Sequence, residues 1–248
     1  MLCSRKSVRV CSIWAVLAGA GFLVGCGDDS SSNQPGGNAN VSGNWHAVTT
    51  SSLGPTSFDL DFFIVQNGGS LASSTVFFGG TPCADNGTLT GSVDRQAVDL
   101  TITESGGPDT ITINASTNSV TMTGTYNISG SCDGGDHGTF SANFVPDVES
   151  SQWSGSTASS NGTLTFTASL TEDSQGRLSG SMVFSGSPCF SQMTVSGKQA
   201  GSVVQLSDSQ GLFAASGTTS NNALTVSGLY SVISGPCQED GTFTMSRP

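Results

Sequence analysis

The sequence predicts an all-β protein made of two tandem eight-stranded antiparallel up-and-down β-barrels, with two β-sandwiches as the alternative. Three observations carry this. Short runs alternate apolar and polar residues with period two, the pattern of a half-buried strand. Turn signals separate the runs, among them Asn67-Gly68, Asn86-Gly87, Gly106-Gly107-Pro108 and Gly134-Gly135. One stretch also occurs twice. Thr121-Met122-Thr123-Gly124-Thr125-Tyr126, continuing through Cys132 to Gly138-Thr139-Phe140, returns as Thr225-Val226-Ser227-Gly228-Leu229-Tyr230, continuing through Cys237 to Gly241-Thr242-Phe243. A strand–turn–strand element repeated at this distance divides the chain into two copies.

The chain opens with an export address over residues 1–25. Arg5, Lys6 and Arg9 supply a positive segment and Ile13 to Val24 a short apolar run. That run is shorter than the roughly 20 apolar residues a membrane-spanning helix needs, and its layout is that of a signal peptide. Leu23-Val24-Gly25-Cys26 follows and resembles the lipobox of bacterial lipoproteins. The resemblance implies cleavage behind Gly25 and acylation of Cys26, which becomes the mature N-terminus. Two or more acyl chains anchor a protein stably where one does not. Residues 26–40 lack an apolar period and are rich in Gly, Asn and Ser, so they read as a flexible tether.

The first copy covers residues 41–146. Phe58, Leu60, Phe62 and Ile64 alternate with polar residues, as do Val98, Leu100 and Ile102, and then Val120, Met122 and Tyr126. Eight strands are expected, near 42–49, 57–66, 71–78, 87–94, 97–104, 109–115, 119–128 and 138–145. No segment shows helical period. Residues 146–151 form a short linker, and the second copy, 151–248, repeats the plan. Trp153 stands where Trp45 stood, Leu164, Phe166, Ala168 and Leu170 answer the run at Phe58, and Leu224, Val226, Tyr230 and Val232 answer the run through Tyr126. Short turns between successive strands favour a meander closed into a barrel. A sandwich of the immunoglobulin type uses a similar strand number but places a tryptophan in mid-domain, which neither copy does.

Cysteine usage fits export. Cys3 and Cys11 leave with the signal and Cys26 takes the lipid, so four remain: Cys83, Cys132, Cys189 and Cys237. An even set in an oxidising compartment reads as disulfides. The intervals from Cys83 to Cys132 and from Cys189 to Cys237, 49 and 48 positions, match the repeat and assign one bridge to each copy. Each bridge is expected to contribute about 4 kcal/mol by loop closure. In an eight-stranded meander both cysteines of a copy fall in loops at the end opposite the chain termini, so each bridge is expected across the barrel mouth.

Gly43-Asn44-Trp45 on the first strand, ahead of an eight-strand meander, looks like the opening of the lipocalin and avidin-type (calycin-type) barrels. In lipocalins a basic residue on the last strand covers that tryptophan, and Arg247 stands in the corresponding place in the second copy. The first copy has no such residue. The resemblance implies a fold and hints at a small ligand.

Composition excludes several functions. Without the signal, four basic residues (Arg95, Arg177, Lys198, Arg247) face eighteen acids, a balance of −14. No basic patch exists to collect phosphates, so nucleic-acid binding is disfavoured, and an acidic chain is not drawn to anionic lipid. Membrane attachment therefore rests on the lipid. Asp133 and Asp136, in Cys132-Asp133-Gly134-Gly135-Asp136-His137, are candidate cation ligands whose bland reading is an acidic turn. Asp59 and Asp61 share one strand face as a carboxyl pair in glycoside chemistry would, but alternation with Phe58, Leu60 and Phe62 points them to water. His46 and His137 are the only histidines, and the second copy has none, so no Ser-His-acid arrangement is supported. Tyr126 and Tyr230 read as paired core tyrosines with hydroxyls at the rim. No cofactor is expected. The expectation is a non-enzymatic binding or interaction module of the bacterial cell envelope, lipid-anchored at the outer membrane or cell surface. Its partner would be a small ligand or an envelope protein. A structural or adhesive spacer and an envelope hydrolase are the alternatives.

Overall fold

The computed structural model describes residues 37–55, 57–80, 85–187, 191–233 and 238–248. Sixteen strands follow one another in them: β1 (Gly43–Ser51), β2 (Asp59–Asn67), β3 (Ser70–Gly79), β4 (Asn86–Asp94), β5 (Ala97–Glu104), β6 (Thr110–Thr117), β7 (Thr121–Ser129), β8 (His137–Val145), β9 (Ser150–Ser159), β10 (Gly162–Glu172), β11 (Arg177–Ser185), β12 (Gln192–Ala200), β13 (Val203–Asp208), β14 (Phe213–Thr219), β15 (Thr225–Val232) and β16 (Glu239–Ser246). β1–β8 close into one antiparallel barrel and β9–β16 into a second. The seam of the first runs from Asn44↔Val145 to Ser51↔Gly138, and that of the second from Ser154↔Ser246 to Ser159↔Gly241. Closure leaves neither sheet an unpaired edge.

The alternating residues fill the interiors. Trp45, Leu60, Phe62, Ile64, Leu100, Ile102, Met122, Tyr126 and Phe140 are among the buried residues that make the first core. Trp153, Phe166, Leu170, Val195, Val226, Tyr230, Phe243 and Met245 belong to the second. Two residues of the expected alternation lie elsewhere. Val120 is 58% exposed in the turn before β7, and Leu224 is 39% exposed in the matching turn before β15. Each precedes its strand by one residue, and the inward positions pass to Met122 and Val226.

The repeated Tyr…Gly-Thr-Phe element has a steric reason. Tyr126 pairs across the ladder with Gly138, and Tyr230 with Gly241. A Cβ added at Gly138 would meet Thr50 O at 1.9 Å and the Tyr126 ring at 3.0 Å; at Gly241 it would meet Ala158 O at 2.2 Å and the Tyr230 ring at 2.7 Å. Only glycine lets the two backbones approach and leaves the tyrosine ring its place in the core.

The opposite end of each barrel is plugged by its tryptophan. Trp45 Nε1 donates to Val41 O at 2.8 Å, and Trp153 Nε1 donates to Val148 O at 3.0 Å. The covers differ, as the last strands predict. Arg247 stands over the Trp153 ring at 5.3 Å, its guanidinium donating to the carbonyls of Asp147 and Glu149. In the first barrel Phe144 stands edge-on to Trp45, with ring centroids 5.8 Å apart.

The barrels also pack against each other, which the reading of two separate domains did not anticipate. The outer face of β1–β3 meets the turns at 173–176 and 201–202 of the second barrel. Asp61, expected in water, is 7% exposed and accepts the Ser202 N–H at 2.6 Å; its Oδ1 lies 3.0 Å from His46 Nδ1. Gly201 donates its N–H to Phe62 O at 3.2 Å. It sits at φ +57, where a Cβ would lie 2.4 Å from Trp45 O, so no other residue fits. Gln199, 1% exposed, accepts from Val148 N–H and donates to Pro146 O and Gly201 O, pinning the linker.

Candidate binding surface

At the rims opposite the tryptophans, equivalent residues make equivalent clamps. Asp136 Oδ2 accepts the Tyr126 hydroxyl at 2.8 Å and its Oδ1 accepts the Ser51 hydroxyl at 2.5 Å. In the second barrel Glu239 Oε1 accepts the Tyr230 hydroxyl at 2.7 Å and its Oε2 the Ser159 hydroxyl at 2.6 Å. Each carboxylate ties the first, seventh and eighth strands of its copy. Burial, and then the bond to Asp136, pushes the Tyr126 phenol up to about 12, so the tyrosine stays a donor. The Ser159 hydroxyl holds the Glu239 carboxyl below its ordinary range.

This geometry separates the two candidate cation ligands. Asp136 belongs to the clamp. Asp133 lies instead with Asp109 and Cys132, their ligand atoms all within 4.8 Å of one another, the one such grouping among the described residues. Asp109, 1% exposed, accepts the N–H groups of Cys132 at 3.1 Å and Asp133 at 2.6 Å. The acidic turn thus ties loop 105–109 to loop 130–136, and the sulfur within it is one the sequence assigns to a bridge. Asp109, which the sequence reading missed, is signalled only by being an acid in a short Gly-Pro turn. Cys26, Cys83, Cys189 and Cys237 lie outside the described residues; Cys132 is exposed in loop 130–136.

His46 and Asp61 form a hydrogen-bonded pair that raises the His46 pKa, through the Asp61 bond first, with burial opposing it. Among the described residues no serine or cysteine side chain is hydrogen-bonded to His46. Among the described residues the pair has the base and the orienting acid of a triad without a nucleophile bonded to His46, and Asp61 also holds the junction through the Ser202 N–H.

An open trough of about 1240 Å³ lies on the outside of the second barrel, across β11–β16, with Ser74 of the first barrel at its margin. Its floor follows one row of ladder partners: Arg177↔Lys198↔Gln205↔Ser216↔Leu229↔Thr242. Small side chains beside that row, Ser196, Ser207, Ala214 and Ser231, line it together with the carboxylate of Asp240, and most of the lining surface is apolar. Leu229 is 67% exposed in it. Arg177 is paired with Asp173 at 2.7 Å. Lys198 has no carboxylate within 4.0 Å among the described residues; its ammonium donates to Thr75 Oγ1 at 3.2 Å and stands 4.8 Å from the Phe77 ring. Burial lowers the Lys198 pKa.

The first barrel carries the same row at the same register: Ser70↔Ser92↔Asp99↔Asn114↔Thr125↔Thr139. It has one acid and no cation. The second copy replaces Ser70 by Arg177, Ser92 by Lys198, Asp99 by Gln205 and Thr125 by Leu229. Comparing outward positions of the two copies in the sequence is the signal that finds this row.

Fold and site together define a class: a tandem eight-stranded β-barrel protein whose architecture fits a calycin-like repeat. Beyond that class, the chain matches no protein-family model and no curated protein.

Proposed function

We propose that this chain is a lipid-anchored, non-enzymatic lipoprotein of the bacterial cell envelope, and that the trough on its second barrel is its binding surface. The observation that carries the proposal is the row Arg177–Thr242. On a duplicated frame with equivalent cores and clamps, the outward row changes from acidic to cationic and gains an exposed leucine. A fold alone does not assign function, and a changed site on a kept fold is where function is sought. A mostly apolar lining around Leu229, with serine hydroxyls, Asp240 and Lys198 along it, suits a largely apolar ligand that carries a polar group. A filled interior argues for recognition on the outer surface rather than inside the barrel.

The attachment rests on Cys26 of Leu23-Val24-Gly25-Cys26, with a tether that ends before Asn38 rather than at residue 40: Asn38 Oδ1 accepts the Arg95 N–H at 2.9 Å, and Ala39 donates its N–H to Arg95 O at 2.7 Å and packs on the first core. One bridge in each barrel, Cys83 to Cys132 and Cys189 to Cys237, latches the end opposite the tryptophans. Loops 3–4 and 7–8 of an up-and-down barrel open at that same end, which supports the pairing.

Two experiments test the proposal. Metabolic labelling with an alkyne fatty acid should mark the wild-type chain and leave Cys26→Ala unlabelled; label retained by the variant would refute the anchor. A photo-crosslinking residue placed at position 229 in intact cells should give a discrete adduct that Lys198→Ser diminishes. The same residue at position 125 should give none. Equal adducts at both positions would refute the trough and favour a spacer.

A further inference from the structure

The junction between the barrels contains one contact whose hydrogen bonding is incomplete. Asn44 on β1 is 2% exposed, and its Nδ2 donates to Glu172 Oε1, at the end of β10, at 2.9 Å. The other atom of each group, Asn44 Oδ1 and Glu172 Oε2, is buried with no hydrogen-bond partner of its own among the described residues; the Val148 N–H, which approaches the carboxyl and favours its anion, is bonded to Gln199 Oε1 at 2.9 Å. Both are acceptors. An ionised glutamate offers no donor to either, and buried acceptors without donors are rare in folded proteins.

The charges around the pair do not favour the anion. Asp147 and Glu149 face Glu172 from the linker, and both act to raise its pKa. Asp173, next in the chain, is paired with Arg177, and the Arg247 guanidinium is occupied by the Asp147 and Glu149 carbonyls and the Trp153 ring. Across the junction His46 is paired with Asp61. Among the described residues no cation lies within 4.0 Å of the Glu172 carboxyl.

We infer that Glu172 and Asn44 form a carboxylic acid–amide clasp that ties the barrels together through one bound proton and loosens when that proton leaves. A proton on Glu172 Oε2 turns one of the two orphan acceptors into a donor for the other. Asn44 Nδ2–H to Oε1 and Glu172 Oε2–H to Oδ1 then close a two-bond ring, and both buried oxygens are satisfied. The only covalent bond that changes is Glu172 Oε2–H, which breaks when its proton passes to water.

Burial pushes the Glu172 carboxyl up to about 7, which places the change near neutrality. The sign follows from linkage. With the barrels docked the carboxyl binds its proton more tightly than when the junction is open and the group is solvated. Docking is therefore strongest at acidic pH, weakens as pH rises from the ordinary carboxylate range to about 7, and is flat above it. Within that window the docking constant falls by up to about tenfold per pH unit.

The test uses the full chain. A carboxyl-carbon NMR titration of Glu172 should show a midpoint near neutrality. Hydrogen exchange at Phe63, Gly201 and Ser202, corrected for the intrinsic pH dependence of exchange, should show protection falling between pH 5 and pH 7. Glu172→Gln supplies a permanent N–H donor in place of the acid, so the variant should keep its junction protection at alkaline pH and lose the pH dependence. A Glu172 midpoint in the ordinary carboxylate range would overturn the inference without any variant. So would a Glu172→Gln profile that still falls with pH as the wild type does.

Discussion

The two barrels share their internal structure and differ on the outside. Each has a tryptophan whose indole N–H is held by a carbonyl four or five residues upstream. Each has a tyrosine wedged over a cross-strand glycine, and a rim carboxylate accepting a tyrosine and a serine hydroxyl. The carboxylate is aspartate in one and glutamate in the other, so the contact is kept while the side chain varies. The outward row is kept in register and changed in chemistry. The copies therefore separate what closes a barrel from what a barrel displays. Inward positions are fixed by packing, and outward positions are free to change unless a neighbour covers them.

The largest effect expected from breaking the shared frame comes at the two proposed bridges. Cys132→Ser and Cys237→Ser should each lower the stability of their own barrel by about 4 kcal/mol in non-reducing calorimetry, and reductant should remove about that amount from each of the two barrels of the wild type. Equal losses would make the latches equivalent, whereas a loss in only one copy would break the comparison. Next come the clamps. Tyr126→Phe and Tyr230→Phe each remove a hydrogen bond to a carboxylate, and chemical denaturation should show losses of about 1.5–3 kcal/mol, similar in the two barrels. The smallest effect sharpens the difference between the covers. Arg247→Ala should cost about 1 kcal/mol through Trp153, and Phe144→Ala about 1 kcal/mol through Trp45. High salt should weaken the wild-type Arg247 contribution and leave that of Phe144 unchanged.

Much of this frame was legible in the sequence because its causes are local. Period-two alternation placed all eight strands of the first copy within two residues of their observed ends, while Arg247 over Trp153 was implied by the lipocalin resemblance. The junction was not legible. An aspartate at an outward strand position reads the same whether water or a second barrel covers it, so Asp61 was assigned to solvent. Nothing local marks Asn44 and Glu172 as partners, 128 positions apart. Asp136 looked like a cation ligand because its hydroxyl donors come from other strands. Val120 was misplaced because the period does not show where a turn ends.

Peptide mapping without reduction, on protein purified from the envelope, tests the duplicated and latched frame most directly. The account predicts Cys83 joined to Cys132 and Cys189 joined to Cys237, with no peptide linking the copies. A Cys83–Cys189 or Cys132–Cys237 peptide would contradict it.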